Sequence, residues 1–166
     1  MQRRQTALGS LNSTRWAARR TFLSILRRIE EAGYSGICVT CDSPSAGWKE
    51  RNRRNQFVVP EEIVSGNYPG PDGAATRRQV FGQLFSQTEP VWTWDKLGRL
   101  MATSPLPWVA KGVLTVADAE RALGVGATGL YVSNHGGRQL DRTLSPVDVL
   151  PDIRAAVGPD VDIAVD

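Results

Sequence analysis

The chain has 166 residues, 41% of them hydrophobic and 22% charged, and a net charge of +3 at pH 7. That length suits one domain with a sizeable core, and that composition suits a soluble globular protein. No apolar run approaches the roughly 18 residues of a membrane span, and no apolar segment follows the basic Met1-Gln2-Arg3-Arg4 as in a secretory leader. Cys38 and Cys41 fall on opposite faces of an apparent strand and are poorly placed to pair. With a single histidine and no second cysteine pair, no metal site is expected, and a reducing, cytoplasmic setting is. Arginines crowd the first third of the chain without a recognition motif. They read as a solvated helix face and a basic loop, so no nucleic-acid partner is expected.

Residues 1–12 show no periodicity and read as a loose tail. A helix is predicted from Ser13 or Thr14 to Ala32. Phe22, Ile25, Leu26 and Ile29 share one face, and Gly33 stops it. Gly36-Ile37-Cys38-Val39-Thr40-Cys41 is short, apolar and β-branched, which predicts a buried strand ending at Asp42-Ser43-Pro44. From residue 43 to 93 there is little pattern apart from a short helix suggested by Phe81, Leu84 and Phe85. A loop that long in a compact domain reads either as a functional lid or as a sign of elements without a clear sequence signal.

The rhythm then becomes regular. A short helix opens at Thr93 or Trp94, and Pro107-Trp108-Val109-Ala110-Lys111 is a strand. Thr115 and Asp118 form a capping box ahead of a helix that ends near Gly124 or Gly126. Thr128 to Ser133 is the next strand. Ser145-Pro146-Val147-Asp148 caps another helix, which stops at Gly158-Pro159, and residues 161–166 begin a last strand. Four helix–strand units in series predict a parallel α/β fold. Four strands do not close an eight-stranded barrel, so the expected fold is a partial (β/α)8 TIM barrel, about four central units of eight.

In such a barrel the carboxyl ends of the strands share one face, where active sites lie. The predicted strands end in Thr40 and Asp42, in Lys111, in Ser133 and His135, and in Asp166. Histidine is the side chain suited to proton abstraction near neutral pH, and Asp42 could orient it. Arg138 offers a planar fork for a carboxylate, and Lys111 a fixed positive charge for an anionic cofactor or enolate. Together they suggest removal of a proton or hydride from a carboxylic acid. No glycine-rich nucleotide fingerprint or P-loop is present.

Ser133-Asn134-His135-Gly136-Gly137-Arg138-Gln139-Leu140-Asp141 resembles the active-site signature of the FMN-dependent α-hydroxy acid oxidase/dehydrogenase family. Val39-Thr40-Cys41-Asp42-Ser43-Pro44 and Asn55-Gln56-Phe57-Val58-Val59-Pro60 resemble its fourth-strand segment, and Trp108 to Thr115 its fifth strand. The resemblance runs from Arg15 to Asp166. It implies that His135 is the base for oxidation at the α-carbon, that Asp42 pairs with it, and that Arg138 holds the substrate carboxylate. Thr40, Lys111 and Ser133 would contact FMN, and Asp166 would begin the segment on its phosphate side. The substrate would be a small 2-hydroxy acid, and the electron acceptor oxygen, a quinone or a cytochrome. The His/Arg pair argues against another FMN barrel activity such as an isomerase.

One departure concerns the substrate site. Where the family carries a second substrate arginine, the aligned residue is Lys49, which keeps the charge but not the bidentate fork. The family's first strands and its phosphate-binding glycine segments also lie outside this sequence. Exposed strand edges would then invite a homo-oligomer. The alternative expectation is a non-catalytic, truncated remnant that neither retains FMN nor turns over.

Overall fold

The computed structural model describes residues 8–12, 19–43, 47–58 and 93–166. Five parallel strands form one sheet in the order β1-β2-β3-β4-β5. They are β1 (Leu8–Asn12), β2 (Gly36–Thr40), β3 (Trp108–Val113), β4 (Gly129–Val132) and β5 (Asp162–Val165). Helices α1 (Arg19–Glu31), α3 (Trp94–Met101), α4 (Val116–Gly124) and α5 (Pro146–Val157) lie between successive strands, and a short α2 (Glu50–Arg54) follows β2. Strand order equals chain order. With right-handed crossovers this puts every connecting helix on one face, as in a barrel wall rather than a doubly wound sheet.

Strand β1 corrects, for Leu8–Asn12, the expectation of a loose tail at residues 1–12, and residues 1–7 lie outside the described residues. Leu8–Asn12 pairs with Gly36–Thr40 along its whole length. With Gly9, Ser10 and Asn12 among five residues, the segment has little strand propensity of its own. It is extended because the edge of β2 offers it a full ladder of hydrogen bonds. The described part of the expected loop also holds α2, so it is not wholly irregular. The suggested helix around Phe81, and residues 13–18 of the first helix, lie outside the described residues.

The helix boundaries follow from local chemistry. Helix α1 closes with Tyr34 N–H bonded to Ile29 O and Gly33 N–H to Glu30 O, a Schellman arrangement with Gly33 at φ +76°. Thr115 Oγ1 accepts from the Asp118 amide at 3.1 Å and donates to the Asp118 carboxylate at 2.9 Å. The second half of that predicted box therefore forms on the hydroxyl. The other oxygen of Asp118 accepts from Trp94 Nε1 at 3.1 Å, tying α3 to α4. Ser145 caps α5 through the Val147 amide, with Pro146 in the first turn.

The core lies between helices and sheet. Phe22, Leu26 and Ile29 of α1, Leu97, Leu100 and Met101 of α3, and Val149 and Ile153 of α5 pack on Ile37, Val39, Ala110, Leu130 and Val132. The pairing keeps Val39, Ala110, Leu130 and Ile163 in one row across four strands. Thr40, Lys111, Tyr131 and Ala164 form the next row. Side chains alternate faces along a strand, so this second row points away from the helices. Ile153 is fully buried, and Ile153→Ala should cost about 2–5 kcal/mol of stability. Chemical denaturation of the variant beside the parent chain measures this.

Candidate functional site

Every described strand end carrying a predicted residue lies on the carboxyl edge of the sheet. Two groups of side chains form there, and one buried hydroxyl joins them. In the first group, His135 Nδ1 lies 3.1 Å from both oxygens of Asp42. A carboxylate can only accept, so Nδ1 carries a proton, and in the neutral ring the lone pair falls to Nε2. His135 opens a tight turn over His135–Gly137, with φ +60° at His135, +63° at Gly136 and +67° at Gly137. The two glycines tolerate that conformation, while His135 is held in it against its preference. Asn134 secures the turn. Its side chain accepts from the Gly137 amide at 3.0 Å and donates to Leu144 O at 3.3 Å.

In the second group, Lys111 Nζ donates to Ser133 Oγ at 2.7 Å and to Asp166 Oδ2 at 2.9 Å, and stands 4.3 Å over the Tyr131 ring. The ammonium is fixed in place, with only 17% of the side chain exposed. Ser133 is fully buried, and its oxygen also accepts the His135 amide at 3.1 Å. It is thus the link between the lysine group and the histidine turn. Thr40 is 2% exposed and pairs in register with Lys111. Partial burial pushes the Asp166 carboxyl up. That push is outweighed by hydrogen bonds from Lys111 and Ser133 and by the charges of Lys111 and His135, so its pKa falls below the ordinary aspartate range.

Arg138 and Lys49 are brought together as well. Both line a cavity of about 290 Å³, with Trp48, Glu50, Gln139 and Asp141. Lys49 precedes α2 at φ +45°, and Trp48 is stacked under Arg53 at 3.5 Å. Gln139 Oε1 is buried with no hydrogen-bond partner among the described residues. His135 and Asp42 do not line this cavity, so the Lys49–Arg138 cavity and the acid–base pair are distinct patches of one face.

Sequence reasoning missed Asn134 and Gly112. An asparagine ahead of Gly-Gly is a turn signal that could have revealed the first. Gly112 has φ +95°, and the pairing of β3 with β4 shifts register around it. A glycine inside a strand pattern is a bulge signal. Among the described residues no cluster of histidine, cysteine and carboxylate side chains could hold a metal ion, and no helix is long and apolar enough to cross a membrane.

The architecture and site define a segment of a parallel α/β barrel that carries a histidine–aspartate pair, a fixed lysine and a polar cavity lined by Arg138 and Lys49 at its strand ends. Residues 9–166 match the family described as FMN-dependent dehydrogenase, and the chain belongs to that family. It is 42% identical over 151 residues to an L-lactate oxidase of Nostoc sp., covering 86% of this chain and 40% of the relative. It is 38% identical to a 4-hydroxymandelate oxidase of Amycolatopsis orientalis, covering 87% and 41%. A solved mandelate oxidase variant with a C4a-OH-FMN adduct superposes with a TM-score of 0.77 at 35% identity, over 97% of this chain and 43% of that one. The chain thus spans about 40% of the length of the curated relatives it matches. The fold is accordingly a partial (β/α)8 barrel, and FMN is the cofactor of its family.

The lowered pKa of Asp166 has a definite sign in a titration. Its contribution to stability is fully present above the ordinary aspartate value of about 3.9 and is lost as pH falls through the lowered value. Asp166→Asn should therefore lower the denaturation midpoint at neutral pH and have no effect in strong acid. The loss should be modest, because the carboxylate is 40% exposed and water screens it. Urea unfolding of both proteins across that pH range checks it.

Proposed function

We propose that the protein to which this segment belongs oxidises a small 2-hydroxy acid to the 2-oxo acid with FMN. The observation that carries this reading is the Nδ1 contact of His135 with Asp42, which leaves Nε2 as the basic nitrogen. Its relatives support the chemical class. Lactate, mandelate and 2-hydroxyacid oxidases are among the proteins it resembles.

The residues present fit the cofactor. Lys111 presents a fixed positive charge, and Thr40 and Ser133 are buried hydroxyls beside it. A flavin's pyrimidine edge, rich in carbonyl oxygens and ring nitrogens, suits that set of donors and acceptors, and Lys111 would face negative charge gathering there on reduction. Asp166 is read as the first residue on the phosphate side. The chemistry that bound FMN would supply is the uptake of the two electrons, together with the one proton His135 does not take, that leave the hydroxy acid.

The chain's own residues do the rest. Arg138 receives the substrate carboxylate through its planar fork, and Lys49 adds a second charge from across the cavity. His135 Nε2 takes the proton that leaves the hydroxy acid. The resulting imidazolium is stabilised by Asp42, which already holds Nδ1–H. Lys49 in place of an arginine predicts weaker hold on the carboxylate than a paired fork gives. Most of the lid-like loop expected at residues 43–93 lies outside the described residues. The electron acceptor is oxygen, a quinone or a cytochrome, and the setting cytoplasmic.

Anaerobic addition of glycolate, lactate or mandelate to the FMN-loaded protein should bleach the flavin. His135→Gln should slow bleaching by about 10²–10⁴-fold. An undiminished rate in that variant would remove His135 as the base. Lys49→Arg should lower KM with little change in kcat, which steady-state assays read directly. The 166-residue chain by itself should oxidise none of these acids measurably.

A further inference from the structure

We propose that Gly112 is a positioning residue that seats Asp42 against His135. This rests on the reading of His135 as the base, and Gly112 acts only through Asp42. Beyond Thr40 and Lys111 the regular pairing of β2 and β3 ends. The two chains nevertheless stay together for another residue, with the Cys41 amide bonded to Lys111 O at 2.7 Å. On the other side of β3, Lys111 pairs with Tyr131 and Val113 with Val132, so Gly112 bulges out of the ladder. Its φ of +95° aims the position of a β-carbon at Asp42.

A β-carbon there would lie 2.5 Å from Asp42 Cβ, 2.6 Å from its Cγ and 2.9 Å from its backbone nitrogen. These atoms are not the free end of a flexible side chain. Two belong to the root of the Asp42 carboxylate and one to the main chain, so any L side chain at 112 displaces the residue as a whole. Asp42 holds His135 with both oxygens at 3.1 Å, and its side chain is 11% exposed. A shift of several tenths of an ångström would carry both contacts beyond hydrogen-bond range. The bulge therefore does two things with one residue. It marks the end of the β2–β3 ladder just after Lys111, and it opens the space in which the aspartate stands.

Other glycines separate this effect from backbone strain. Gly126 has φ +100°, but a β-carbon there meets nothing closer than Trp108 Nε1 at 4.0 Å. Gly126→Ala thus brings the same conformational penalty without an intrusion on Asp42.

The single histidine makes the test direct, because the ring nitrogens give one set of signals. Nitrogen-15 spectra of the 166-residue chain should show the Nδ1–H tautomer. Gly112→Ala should lose it to the same extent as Asp42→Ala, while Gly126→Ala keeps it. In the FMN-loaded protein, Gly112→Ala should lower kcat by the factor seen for Asp42→Ala and leave KM near the parent value. Retention of both the Nδ1–H tautomer and kcat in Gly112→Ala overturns the proposal. A lost tautomer in a protein whose parent oxidises no hydroxy acid would sink the functional reading and leave the seating of Asp42 intact. If Gly112→Ala does not fold, the same alanine is placed in an Asp42→Gly background, where the Cβ and Cγ it strikes are gone. Recovery of folding there supports the proposal, and an equal loss in both backgrounds refutes it.

Discussion

The parallel, sequential pairing of the strands is the constraint on which the rest depends. Because β1 to β5 follow one another in space as in sequence, the connecting helices α1, α3, α4 and α5 cover one face and all carboxyl ends share one edge. The register then sets which side chains meet. Thr40 and Lys111 occupy the same row, and so face the same way. A slip of one residue in β3 would exchange Lys111 for Ala110 and turn the cation into the helix layer. The site is therefore a product of register before it is a product of any individual contact.

Within that frame the electrostatics are nearly closed. Two basic groups, Lys111 and His135, alternate with two carboxylates, Asp166 and Asp42, and the fully buried Ser133 hydroxyl spans the gap between the halves. A buried hydroxyl is costly unless bonded, and here its oxygen takes both the lysine and the histidine amide. Movement in one half is thereby felt in the other. Arg138 and Lys49 stand outside this network, on an open cavity they share with the carboxylates of Glu50 and Asp141.

Backbone irregularity gathers at the same edge. Lys49, Gly112, His135, Gly136 and Gly137 all adopt positive φ, while the strands behind them pair regularly. Such conformations persist only where surrounding structure holds them, and here they aim side chains that a regular strand end would direct elsewhere. The exchange is stability for placement. Gly33, Gly126 and Gly158 also have positive φ, but they lie at helix ends, where the conformation terminates a helix and aims nothing.

Strands β2, β3, β4 and β5 were legible because their apolar, β-branched runs are bounded by polar and glycine signals. Helices α1, α3, α4 and α5 were legible from their apolar spacing, and α4 and α5 also from their caps. That Asp42, Lys111, Ser133, His135 and Asp166 share one edge was legible for a related reason: each lies at or just past the end of a predicted strand, and parallel strands end together. Strand β1 was not, because its five residues carry no pattern and are held extended only by the edge of β2. Nor could the sequence show that Asp42 approaches His135 with both oxygens, or that Gly112 makes the room. The two residues are 93 positions apart, and a glycine inside a strand announces a bulge without saying which neighbour enters it. Local chemistry determined the elements and the kinds of side chain at their ends. The pairing register and the bulge, which are properties of several strands at once, decided which of those side chains touch.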